Sequence, residues 1–124
     1  MKYLCAAVLL AAFCCASAHA ADLVRHVVCF KFKEGTKPEE IKRVETAARA
    51  LKEKISESVL GLEWGTNVSK ENRDKGFTHC FVLTFADEKD VRTYIDHPVH
   101  KAFVALAGPF LDDIFVFDFH AKSE

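Results

Sequence analysis

Ile114-Phe115-Val116-Phe117-Asp118-Phe119 alternates aromatic with aliphatic side chains. Successive side chains of a strand point to opposite faces, so this segment is apolar on both of them. The same holds for Phe77–Phe85, where Phe77, Phe81, Leu83 and Phe85 oppose Cys80 and Val82. In Leu23–Phe32, Val28, Phe30 and Phe32 oppose Val27 and Cys29. An antiparallel sheet carrying helices on one face ordinarily turns polar residues to water on the other. Here both faces demand burial, and two helices can cover only one. Four strands about 20 Å long and about 4.8 Å apart leave roughly 400 Å² uncovered. An aromatic patch of that size marks a partner or ligand site. No remaining segment is long and apolar enough to fold over it, so a homodimer joined through the open sheet face is expected, with an interior cleft between the two sheets.

The residues between these strands supply the other elements. Gly35 ends the first strand. Thr36 and Glu39 have the spacing of a capping box, and Pro38 falls in a first helical turn. Ile41, Val44, Ala48, Leu51 and Ile55 then form one apolar stripe, leaving Lys42, Glu45, Arg49 and Glu53 to water. A second strand is expected over Val59–Val68, with Trp64 inside it, followed by a polar loop over Ser69–Gly76. Asp87 caps a short helix carrying Val91, Tyr94 and Ile95. Pro98 opens a further helical stretch with Val99, Phe103 and Leu106 inward, which Gly108-Pro109 stops. The order is β-α-β-β-α-β, a ferredoxin-like α+β sandwich with a four-stranded antiparallel sheet and helices on one face.

The first twenty residues read as a signal peptide. Lys2 is the positive start, Leu4–Cys15 the apolar run and Ala18-His19-Ala20 the small-residue cleavage site, so cleavage is expected after Ala20. The run is shorter than the roughly 18–20 residues that span a bilayer, and no stable membrane insertion is expected once it is removed. A secreted or periplasmic location follows. Residues 21–124 suffice for one domain and are too few for two. The whole chain has a net charge of −1, and loss of Lys2 makes it one unit more negative. No basic stripe points to nucleic acid. Of the five cysteines, Cys5, Cys14 and Cys15 belong to the leader, leaving Cys29 and Cys80 in apolar strands. Both read as small hydrophobes, with a single bridge between neighbouring strands as the alternative.

Several segments together resemble the stress-responsive A/B-barrel (Dabb) family of dimeric α+β barrels. They are Arg25-His26-Val27-Val28, Phe30-Lys31-Phe32-Lys33, Trp64-Gly65, Gly76-Phe77-Thr78-His79, Leu83-Thr84-Phe85, His97-Pro98-Val99-His100-Lys101-Ala102-Phe103 and the closing Ile114–Phe119. The resemblance spans nearly all of residues 21–124 and implies the fold and a dimer formed through the open face. Its olivetolic acid cyclase branch implies more for the site, because the tyrosine and histidine catalytic in that branch correspond to Tyr94 and His100. Two further cavity histidines there match His26 and His79.

Cyclisation by proton transfer needs a base near neutrality and a donor for the developing enolate oxygen, roles that suit His100 and Tyr94. Positions 94 and 100 are not neighbours on one helix, so they converge only if the chain turns at His97-Pro98. The structural alternatives are a core role for Tyr94 and, for His100, a pin that ties the helix start to a strand. His26 and His79 share a strand phase with phenylalanines and are expected to face the cleft, either paired with each other or with Tyr94 or in contact with a ligand, with Phe30, Phe81 and Trp64 as further ligand contacts. His97 reads as a cap or turn residue and His120 as solvated. Pro98 lies between His97 and His100, and with no further cluster no metal is expected. No phosphate loop, dinucleotide fingerprint or serine elbow is present, and no cofactor is expected. Two functions fit: an exported, stress-associated homodimer that holds a small apolar or aromatic molecule, or a cofactor-free lyase or cyclase with His100 as base and Tyr94 as proton donor.

Overall fold

The computed structural model describes residues 22–124, so the expected leader and its cleavage point lie outside the described residues. The elements are β1 (Val24–Phe32), α1 (Pro38–Lys54), β2 (Gly61–Thr66), β3 (His79–Phe85), α2 (Glu88–Asp96), α3 (Pro98–Ala107), a 3-10 turn (Gly108–Phe110) and β4 (Leu111–His120). The strands form one antiparallel sheet in the order β2-β3-β1-β4, with the second helical stretch of the ferredoxin-like pattern split in two.

The local chemistry explains the boundaries. Gly35, at φ +81°, makes the left-handed turn after β1. The cap of α1 falls one residue later than the sequence spacing indicates. Lys37 is the N-cap, and Glu40, not Glu39, returns its carboxylate to the Lys37 N–H at 2.9 Å. Thr36 instead donates its hydroxyl to the Lys33 carbonyl at 2.6 Å, closing the preceding turn. Asp87 caps α2 as expected, accepting from the Asp90 N–H at 2.8 Å. His97 ends α2 and caps α3, its Nδ1 accepting from the Val99 N–H at 3.0 Å. Both β2 and β3 are shorter than their apolar runs. The Val59 N–H still bonds to the Ile55 carbonyl at 3.0 Å, and Phe77 belongs to the loop, its N–H on the Asp74 carbonyl at 3.0 Å.

At the other end of the sheet the pairing slips. Lys31 faces Asp113 but Phe32 faces Leu111, so Asp112 is an extra residue in β4. The slip changes the side-chain phase. Leu111 turns inward, only 9% exposed, while Asp112 reaches Lys31 Nζ at 3.4 Å.

One sheet face carries all the helices. Val24, Phe30, Phe81, Leu83 and Phe85 pack there against Val44, Ala48, Leu51, Ile55 and Val91, each 5% exposed or less. Complete burial of a side chain such as Phe85 or Ile55 contributes about 1.5–3 kcal/mol. The other face has no cover. Phe115, Phe117 and Phe119 are 49%, 55% and 43% exposed there, beside Val27, Cys29, Cys80 and Val82.

Candidate functional site

A cavity of about 260 Å³ lies between the helices and the covered face of the sheet. Its floor is His26, Val28, Phe30, Phe81 and Leu83; α1 and α3 supply apolar walls, and Tyr94 and His100 complete it. This corrects the expected position. The two site histidines of the strands do not face a cleft between two sheets, because their phase is that of the buried phenylalanines under the helices. The hollow belongs to one subunit.

Within it, Tyr94 and His100 meet, their ring centroids 4.6 Å apart. The break at His97-Pro98 allows this, since α2 ends after Tyr94 and α3 restarts in a new direction. His26 stands against Tyr94 on the other side at 5.8 Å, edge to face. Tyr94 is 2% exposed. Its hydroxyl has no hydrogen-bond partner among the described residues, and Tyr94 is part of the cavity wall. Burial pushes the Tyr94 pKa well above the usual phenol range, so the group remains a donor. His100 Nδ1 donates to the Ile95 carbonyl at 3.0 Å, which leaves Nε2 as the basic nitrogen. Burial lowers the His100 pKa from 6.5; the Ile95 carbonyl opposes that shift, and His26 adds to it. The pin expected for His100 thus exists, but it ties α3 to α2 and not to a strand.

Two carboxylates enter the arrangement that the apolar patterns did not reveal. Asp118, directly across the sheet from His26, accepts from its Nδ1 at 2.5 Å and fixes that ring. Its signal was available: it interrupts an apolar strand in the phase of Ile114 and Val116, where a polar group needs a partner. Glu45, expected in water, accepts from His79 Nε2 at 2.8 Å, while Thr78 Oγ1 lies 2.7 Å from His79 Nδ1. His79 is therefore fully engaged in joining α1 to β3.

The five ligand-binding candidates separate accordingly. His26, Phe30 and Phe81 line the cavity; His79 and Trp64 do not, and border instead a wider cleft beside the 67–78 loop. Trp64 stacks on Phe81 and His79 at 5.5 and 6.3 Å, with the Arg49 guanidinium 5.6 Å from its ring centroid. It closes the end of the core. His120 is 3.6 Å from Glu88 and half exposed, as expected of a surface residue. A wider cleft of about 590 Å³ opens on the uncovered face beside the 67–78 loop, bordered by Cys80, Val82 and Phe115. Cys29 and Cys80 face each other there as thiols. Burial and the neighbouring Cys80 push the Cys29 pKa up to about 11.

A four-stranded antiparallel sheet in the order β2-β3-β1-β4 with all its helices on one face is a ferredoxin-like sandwich. The chain belongs to the Stress responsive A/B Barrel Domain (Dabb) family, whose model matches residues 24–121. Stress-response A/B barrel domain-containing protein HS1 of Arabidopsis thaliana is 36% identical over 100 residues, covering 81% of this chain and 91% of the relative. Olivetolic acid cyclase of Cannabis sativa is 28% identical over 97 residues, covering 77% and 94%. Among solved structures, At3g17210 from Arabidopsis thaliana superposes with a TM-score of 0.76 at 36% identity, over 82% of this chain and 97% of that one. A dimeric ferredoxin-like protein of unknown function from Thermobifida fusca gives a TM-score of 0.68 at 23% identity, covering 79% and 90%.

Proposed function

We propose that the protein is an exported homodimer that binds one small, largely apolar molecule per subunit and presents a carbonyl or hydroxyl group of it to Tyr94, His26 and His100. The observation that carries this reading is a cavity walled by aromatic and aliphatic side chains with its polar groups gathered at Tyr94, His26 and His100. Such a site takes an amphiphile in one orientation, because its hydrogen-bonding groups lie together. The dimer is supported by the aromatic residues exposed on the open face and by the dimeric state of the Thermobifida fusca neighbour. Export is supported by the tripartite pattern of residues 1–20.

A second reading, turnover of the bound molecule, is favoured by the contact between Tyr94 and His100. A histidine with a free Nε2 beside a protonated phenol can take a proton from carbon while the phenol holds the enolate oxygen. The similarity to olivetolic acid cyclase supports a lyase or cyclase of this kind. Small aromatic phenols and β-keto compounds, screened by thermal shift and for product formation, test both readings. At least one is expected to raise the melting temperature; if none does, binding is refuted. Turnover that persists unchanged in His100→Ala refutes the acid–base assignment.

A further inference from the structure

We propose that the second copy also closes the mouth of the cavity, so that the binding site is complete only in the dimer. The inference rests on the homodimer proposed above and concerns where that partner reaches.

Four residues that line the cavity are also among the most exposed apolar residues of the subunit. Ile95, Val104, Ile114 and Val116 are 42%, 50%, 47% and 53% exposed. A hollow closed by its own subunit would bury these side chains as it buries Phe81 and Leu83. Here the wall between α2–α3 and β4 is open, and its rim is apolar throughout.

The rim is continuous with the open face. Ile114 and Val116 alternate along β4 with Phe115, Phe117 and Phe119, so one strand contributes to both surfaces. β4 is also an edge strand. The Ala121 N–H bonds to the Leu23 carbonyl, which sets the alternation so that the main-chain groups of Phe119, Phe117 and Phe115 face β1 and those of Ile114, Val116 and Asp118 face outward. Among the described residues no further strand pairs with the outer side of β4, which leaves this edge open to a partner. The apolar surface that adjoins the open face at this edge is the cavity rim, so a partner seated on the face and reaching around β4 meets Ile114, Val116, Val104 and Ile95.

Val104 separates this arrangement from a dimer confined to the sheets, because it lies on α3 and not on the open face. Sedimentation equilibrium of Val104→Glu is expected to show a dimer dissociation constant raised at least tenfold, with an unchanged circular dichroism spectrum. Dimerisation equal to wild type overturns the proposal. In a second arm, Phe117→Glu, whose side chain points away from the cavity, supplies a folded monomer, and 2-naphthol is titrated against the ring resonances of His26 and His100. Binding at least tenfold weaker than to the dimer is expected; equal affinity overturns the proposal. Should Phe117→Glu fail to fold, wild type diluted below its dissociation constant takes its place. If 2-naphthol does not bind wild type, that counts against the proposed binding function, while the Val104→Glu sedimentation still decides the inference.

Discussion

The two faces of the sheet are built from the same kinds of residue and have opposite fates. On the covered face Phe30, Phe81 and Phe85 are at most 4% exposed and packed by α1–α3; on the other, Phe115, Phe117 and Phe119 keep about half of their surface in water. Hydrophobicity alone does not distinguish them. The difference is chain length, since the connections between strands supply helices for one side only. The covered face also holds both buried strand histidines, each against a carboxylate, whereas the open face holds Cys29 and Cys80. Buried ionisable pairs thus collect on the face that the subunit covers itself, and exposed aromatic side chains on the face that it does not.

The sharpest way to break this contrast is to remove one ring from each face. Phe85→Ala, at a site with no exposed surface, is expected to cost about 3–5 kcal/mol in urea unfolding. Phe117→Ala should cost a monomeric background less than about 1 kcal/mol and act on association instead. Equal losses would mean that the faces are not distinct. Next in size is His79→Ala, which cuts the tie between α1 and β3 and is expected to cost about 2 kcal/mol. Ligand affinity should be unaffected, because His79 lies outside the cavity; a tenfold loss would place it back in the site. Asp87→Ala removes the cap of the helix that carries Tyr94 and is expected to cost about 1 kcal/mol, read from the same unfolding curves.

The smallest effect concerns pH. His100 has a folded pKa below its unfolded value of 6.5, so the unfolded chain binds the proton more readily. The stability associated with neutral His100 is fully present above pH 6.5 and is lost as pH falls through the lowered folded value. His100→Phe should therefore show a shallower decline than wild type in unfolding midpoint between pH 7 and 5. Parallel curves would contradict the burial of His100.

Much of this arrangement was legible in the sequence. Period-two alternation identified the two apolar faces, Asp87 and Gly35 marked boundaries, and Pro98 announced the break that brings Tyr94 to His100. Less legible is which apolar face the helices choose, because both faces read alike, and the linear pattern alone puts the cleft between subunits and not beneath the helices. Strand phase placed His26 and His79 together, but phase does not record position along a strand. One came to rest in the cavity and the other against Glu45 and Trp64. The β4 bulge was hidden for a related reason. Asp112 and Asp113 look equivalent in a linear pattern, and only the pairing with β1 shows which residue is extra.

Coverage of the open face by a second copy is decided by sedimentation velocity on wild type and Phe117→Glu. At micromolar concentration wild type is predicted to sediment at twice the chain mass and Phe117→Glu as a folded single chain. A wild type that sediments as a well-folded single chain, indistinguishable from the variant, would contradict it.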